Sequence, residues 1–307
     1  MSGIIFNNII PAFGELKVGS QNVNKIYAGN IQVFPNESYV FQDRAALDIA
    51  IDLWTGTSSE RLQALNTYGD INTWAFAPTL TDMSSLFALK FSFNSNISNW
   101  DVSKVTNMSN MFRIASAFNQ DISSWDVSSV TNMKEMFYGA TNFNQDIGAW
   151  DVSNVIDMSY MFRSTTYFNG DIGGWNVSNV TNMIYMFNGA TLFNQDISSW
   201  DVSKVTNMGG MFISTSDFNQ PIGSWDVSSV TNMTQMFLNS SSFNSNISNW
   251  DVSNVTGMLS MFNDASSFNQ DLSGWCVTNI TSQPSFFSTG SPLTQANKPI
   301  WGTCPGV

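Results

Sequence analysis

The sequence predicts a β-rich solenoid, a right-handed coil of about nine stacked 25-residue turns capped at both ends. Three observations predict it. Copies of one motif open at Phe93, Phe118, Phe143, Phe168, Phe193, Phe218, Phe243 and Phe268. Nine of the eleven tryptophans share one column from Trp74 to Trp275, recurring every 25 residues from Trp100 onward. Every methionine except Met1 lies in two further columns, such as Met133 and Met136. With 43% hydrophobic and only 11% charged residues in 307, the chain has the apolar share to fill a core along its whole length.

Taken in chain order, residues 1–38 stand outside the repeat. IIPAFGELKVGSQNVNKIYAGNIQVFP alternates short apolar runs with Gly and Asn turns and reads as a small β-module. Residues 39–67 read as a helical N-terminal cap. Asp43 is placed to N-cap a helix reaching about Trp54, with Leu47, Ile51 and Trp54 on one stripe. Thr57 and Glu60 have capping-box spacing for a second short helix through about Leu65.

The solenoid follows over residues 68–292, opening with a degenerate copy at Tyr68. In the copy from Phe118 to Asn142 the large apolar positions are Phe118, Ile122, Trp125, Val127, Val130, Met133, Met136 and Phe137. Alternation around Trp125 and Val127 places a short strand there, and the later spacing of three suits a chain turning repeatedly about a narrow core. No helical stripe of threes and fours persists. One coil cannot stand alone, because ordering each residue costs ~1–2 kcal/mol. Stability has to come from stacking.

Residues 293–307 close the array with a Pro- and Gly-rich segment. A disulfide between Cys276 and Cys304 would fasten that segment to the last coil and point to an extracellular or virion surface; two reduced thiols are the alternative.

Composition narrows the chemistry. The chain has no histidine, which excludes Ser-His-Asp and Cys-His nucleophiles, zincins and His-ligated metals. A net charge of −12 disfavours nucleic acid. No run is long and apolar enough to span a membrane, and the start lacks the basic n-region of a secretion signal. Within residues 93–292 there are 15 acidic and five basic residues, and no cation lies between Lys204 and Lys298.

Two carboxylate columns run along the copies. One contains Asp101, Asp126, Asp151, Asp201, Asp226 and Asp251, interrupted by Asn176; the other contains Asp121, Asp146, Asp171, Asp196 and Asp271. Carboxylates ~5 Å apart repel by about 0.8 kcal/mol even in bulk water. Such a column needs cations, lysine partners or backbone N–H donors in turns. The last is local Asx chemistry and has the stronger support in the residue pattern, while calcium on the Asp columns stays open. The Phe-Asn column from Asn119 to Asn269 is expected to form an internal amide ladder. The candidate ligand-contacting set is the exposed strand neighbourhood of the tryptophans: Ser124, Asp126, Ala149, Asp151, Gly174, Asn176, Ser199, Asp201, Asp226 and Asp251. Variation is expected to concentrate at Ser124, Ala149, Gly174 and Ser199. No catalytic residue, metal site or cofactor is expected.

The pattern I-x2-W-x-V-S-x-V-T-x-M-x2-M-F, with Ile122, Trp125 and Val127 in the strand-leucine places, resembles the leucine-rich repeats of BspA-like surface proteins. It looks closest to the 25-residue version from Mycoplasma and marine bacterial surface lipoproteins. The resemblance implies a leucine-rich-repeat-like solenoid used for adhesion or ligand binding. The main departures are Ala75-Phe76-Ala77 in place of Asp-Val-Ser and Cys276 in place of Asp. The segment VGSQNVNKIYAGNIQVFP resembles N-terminal segments of bacteriophage tail and fibre proteins, which implies attachment to a virion through residues 1–38. Together these readings give a non-enzymatic virion structural protein, of tail fibre, spike or capsid-decorating type. Its solenoid would meet a host surface protein or glycan at the virion surface, with a homo-oligomer left open. The alternative is a BspA-like bacterial cell-surface adhesin, and the remote alternative a glycan-cleaving tailspike.

Overall fold

The computed structural model describes residues 38–306 continuously, together with the short strands β1 (Lys17–Val18), β2 (Gln21–Asn22), β3 (Ile26–Ala28) and β4 (Ile31–Phe34). β1 pairs antiparallel with β2, and β3 pairs antiparallel with β4 through an irregular register at Ile26 and Tyr27. The rest of the expected attachment module lies outside the described residues. A parallel pair follows, β5 (Val40–Phe41) on β6 (Ala75–Phe76), so the chain entering the cap already lies against the first coil.

The cap is two helices. Helix α1 (Arg44–Thr55) starts where the Asp43 side chain accepts from the Ala46 N–H, and it buries Leu47, Ala50, Ile51 and Trp54. Helix α2 (Ser58–Tyr68) carries the full Thr57–Glu60 capping box. It runs through Tyr68, so that residue ends the cap and does not open a coil.

The cap also supplies what the first coil lacks. Down the array, an N–H of each coil donates to a carbonyl of the next, as in Met83 N–H to Asn107 O and Ser85 N–H to Ser109 O. The carbonyls of Asp82 and Ser84 therefore have no coil before them. The Arg44 guanidinium donates to both, at 3.2 and 2.6 Å. One arginine replaces two ladder bonds at an edge that would otherwise stay open.

The tandem copies form a repeat solenoid, yet its coils are made of turns rather than strands. Inter-coil pairing is reduced to a file of isolated parallel bridges, Asp82 to Asn107 to Asn132 and on to Gly257. The strand expected around Ile122, Trp125 and Val127 is absent; Trp125 N–H instead closes a turn onto Ile122 O at 3.1 Å. The ladder sits on the methionine segment. Met133, Glu135, Phe137 and Gly139 donate to Asp157, Ser159, Met161 and Arg163 of the next coil at 2.7–3.1 Å.

Two positions in this segment explain why no strand propagates. Glu135 and Gly139 have φ of 56° and 67°, and the same two columns are left-handed in copy after copy, as at Tyr160 and Ser164. Each is the third residue of a turn closed by an i to i+3 bond, Met133 O to Met136 N–H and Phe137 O to Ala140 N–H. A non-glycine residue there costs ~1–2 kcal/mol, which the inter-coil bonds must offset.

The core is an aromatic zipper. Phe112, Phe137, Phe162, Phe187, Phe212 and Phe237 stack on one another at 5.6–5.7 Å and within 9° of parallel. Each also meets the opening phenylalanine of the following copy, as Phe137 meets Phe143 at 3.9 Å. Tryptophans stack beside them, Trp200 on Trp225 and Trp225 on Trp250 at 6.4 Å. Such pairs add about 0.5–1.5 kcal/mol each beyond area burial.

Both ends break the stacking with edge-on rings. Trp54 of α1 meets Trp74 at 79°, while Phe287 meets Phe262 at 87° and is covered in turn by Trp301 at 82°. Cys276 and Cys304 are joined by a disulfide across 28 residues, beside a bond from Val277 N–H to Thr303 O.

The first coil corrects the sequence alignment. Ile71 and Trp74 lie 26 residues before Ile97 and Trp100, whereas Met83 lies 25 before Met108. Ala75 is the extra residue, and it places Ala77 in the buried column of Val102. The departure is therefore an insertion that lets β6 pair with β5.

Candidate functional site

All ten residues of the candidate set beside the tryptophans are exposed. The turns bring the Asp column together one coil apart, and local bonds then occupy its carboxylates. Asp101, Asp126, Asp151, Asp201, Asp226 and Asp251 each accept from the N–H two residues on, as Asp126 does from Ser128 at 3.0 Å. The second column behaves alike, from Asp121 onto Ser123 to Asp271 onto Ser273. The Ser128 hydroxyl and then its N–H hold Asp126 below the usual carboxylate range, and Ser153 and Ser228 do the same for Asp151 and Asp226. Neighbouring carboxylates oppose this weakly, Asp126 acting on Asp151 and Asp201 on Asp226. Asn176 takes the same turn bond from Ser178 at 3.2 Å, so the position needs an oxygen acceptor rather than a charge. Among the described residues no three acidic or cysteine side chains gather as a metal-holding group.

Side chains also join the coils on this side. Trp125, Trp150 and Trp175 donate their indole N–H to Ile97, Ile122 and Ile147 of the preceding coil at 3.0–3.2 Å. Asn119 Oδ1 accepts from Asn144 N–H, and Asn144 Oδ1 from Asn169 N–H, both at 2.9 Å. The amide ladder therefore exists, but its members are exposed rather than internal. Just before the tryptophans the copies carry small or short polar residues, Asn99, Ser124, Ala149, Gly174, Ser199 and Asn249 among them. A Cβ on Gly174 would meet nothing within 4 Å, so crowding does not impose this.

The copies differ more widely in size and charge on the methionine face. Between the paired methionines stand Lys134-Glu135, Ser159-Tyr160, Ile184-Tyr185, Gly209-Gly210 and Thr234-Gln235. From sequence alone these positions are hidden by the flanking Met and Phe, which core packing fully explains. The signal was available: within an otherwise constant copy, these pairs change size, charge and aromaticity together.

The variation concentrates at one place. All four tyrosines of the array, Tyr138, Tyr160, Tyr167 and Tyr185, lie within two coils of one another. The Arg163 guanidinium carbon sits 5.3, 5.6 and 5.5 Å from the ring centres of Tyr138, Tyr160 and Tyr185. Arg113 lies 5.1 Å from Tyr138 and pairs with Glu135 at 2.9 Å. Burial, reinforced by Tyr185, pushes the Tyr160 hydroxyl above its ordinary pKa. Beyond this cluster, a cleft of about 310 Å³ lies where the cap meets the first coil, lined by Trp54, Arg61, Asp70, Asn94 and Asn96 among others. The Arg61 guanidinium there sits 4.8 Å over Trp54.

The family model described as "Mycoplasma protein of unknown function, DUF285" matches this chain three times in tandem, over residues 57–169, 144–240 and 215–303. No curated protein matches it. The family match begins inside the cap and leaves out the N-terminal segment on which the bacteriophage resemblance rests. Among the described residues no helix is long and apolar enough to cross a membrane.

Proposed function

The chain belongs to this Mycoplasma repeat family, DUF285, and from that membership we propose a non-enzymatic surface protein of the adhesin type. Its solenoid acts as a rigid rod that presents side chains to a partner outside the cell. One observation carries the reading: the copies hold core and turn chemistry constant while the methionine-face pairs, partly exposed at Lys134-Glu135, Ile184-Tyr185 and Thr234-Gln235, differ from coil to coil. Recognition needs that separation of scaffold from contact surface. The local turn bonds of the Asp columns support a non-catalytic reading, since no carboxylate pair is set apart by a break in the repeat.

The family match favours this cell-surface reading over a virion fibre or spike, which rests on the N-terminal resemblance alone. The experiment is adhesion of cells, and of extracellular-matrix protein and glycan arrays, to the immobilised full chain. Saturable binding that survives removal of calcium supports the proposal. Binding to none of these surfaces overturns it. Release of reducing sugar from a bound polysaccharide would replace it with the tailspike reading.

A further inference from the structure

We infer that Arg163, with Tyr138, Tyr160 and Tyr185, is the contact centre for a partner protein that presents an acidic side chain. This rests on the adhesin reading and assigns it a place and a partner chemistry.

Arg163 is held but not satisfied. Three tyrosine rings surround its guanidinium, and its Nε is enclosed without an acceptor. Among the described residues it makes no ion pair, although the array is strongly acidic; the nearby carboxylate, Glu135, is taken by Arg113. Among the described residues the two terminal nitrogens of this partly exposed side chain make no hydrogen bond, and their fork is the geometry that grips a carboxylate bidentately.

The platform around it is built, not incidental. Gly210 has φ of +60°, but the same column holds Tyr160, Tyr185, Gln235 and Ser260 at 53–59°, so the backbone does not demand glycine. A Cβ on Gly210 would run into Cε1 and Cδ1 of the Tyr185 ring. The Tyr185 ring lies across the space that a side chain at this position would fill. That ring in turn packs 5.1 Å from Tyr160, which extends the aromatic surface along the rod.

Charge and composition select the partner. Three of the five cations of the array, Arg113, Lys134 and Arg163, stand on this face within a rod whose remaining charge is negative. A long polyanion would meet that field on every side, whereas a single carboxylate meets only the patch. Arginine and tyrosine are the side chains enriched at the energetic centres of protein interfaces. The half-buried Ile184 and Ile213 alongside them suit a protein surface better than a sugar.

The test pans a random dodecamer peptide library on the immobilised full chain and measures the selected peptides against wild type, Arg163→Gln and Gly210→Val. Unchanged thermal melting certifies the fold of each variant, and Arg163→Lys keeps the charge while removing the fork. The inference expects selected peptides rich in Asp or Glu and at least about tenfold weaker binding to Arg163→Gln. It also expects weaker binding to Arg163→Lys, and loss of binding when the peptide carboxylate becomes its amide. Peptides without acidic residues, or equal binding to Arg163→Gln, overturn it. So does a glucuronate or heparin oligosaccharide that competes at the patch, which would make the partner a glycan. Cell adhesion by wild type that Arg163→Gln leaves unchanged removes the patch and keeps the adhesin; no adhesion by wild type removes the adhesin itself.

Discussion

The two long faces of the rod are bound together by different atoms. On the methionine face, backbone N–H groups of one coil donate to backbone carbonyls of the next. On the tryptophan face side chains join the coils: indole N–H groups and Ser hydroxyls donate to carbonyls, as Ser199 Oγ does to Gly173 O at 2.8 Å, and Asn Oδ1 atoms accept from backbone N–H groups. Where the backbone does the joining, side chains are free to differ. Where side chains do it, their identity is fixed by the fold. The face that looks most decorated in the sequence, with its Asp, Asn and Ser columns, is therefore the more structural one.

Truncating a tryptophan should break the side-chain-bonded face hardest. Trp175→Ala removes a buried body and the 3.0 Å bond to Ile147 O, and should cost about 3–5 kcal/mol by chemical denaturation. Trp175→Phe, which keeps most of the body, should cost about 1–2 kcal/mol. Opening the Cys276–Cys304 bridge by Cys304→Ser should cost about 2–4 kcal/mol, confined to the C-terminal cap and absent from exchange rates of the central coils.

A matched pair sharpens the contrast further. Asn169→Ala takes the acceptor from both Asn194 N–H and the Gln195 amide, and should cost about 1–2 kcal/mol in melting experiments. Gln235→Ala, at a partly exposed position on the methionine face whose side chain makes no coil-to-coil bond, should stay within about 0.5 kcal/mol. Equal costs would erase the distinction.

Acid should act on the turn carboxylates. Asp101, Asp126, Asp151, Asp201 and Asp226 are held below their ordinary range by hydrogen bonds from the serine two residues on. A depressed native pKa gives stability that is complete above the unfolded value, about 4, and is lost as pH falls through the native values. Melting temperature should therefore decline below about pH 4. Asp126→Asn should blunt that decline slightly while leaving the neutral-pH fold intact, as Asn176 already does in its own turn.

Much of the solenoid is legible in the residues themselves, because fixed-phase Trp, Met and Phe have no other reason to recur. The helix starts at Asp43 and Thr57 are legible too, since capping is local chemistry. The strand position is not. Alternation at Ile122, Trp125 and Val127 looks extended, but the pairing segment is set by which residues turn left-handed, and Glu135, Tyr160 and Gln235 do so without the glycine that would announce it. The Tyr–Arg cluster eluded reading for a related reason. Tyr138 and Tyr185 stand 25 and 22 residues from Arg163 in sequence, and only the coil register makes them its neighbours.

Amide hydrogen exchange on the intact chain tests the division between the faces most directly. The slowest amides should alternate along the methionine segment, at Met183, Tyr185, Phe187 and Gly189, where each donates to the next coil. The Ile197–Val202 segment should exchange faster. Greatest protection centred on that tryptophan segment would contradict the placement of the ladder and, with it, the freedom of the methionine face to recognise a partner.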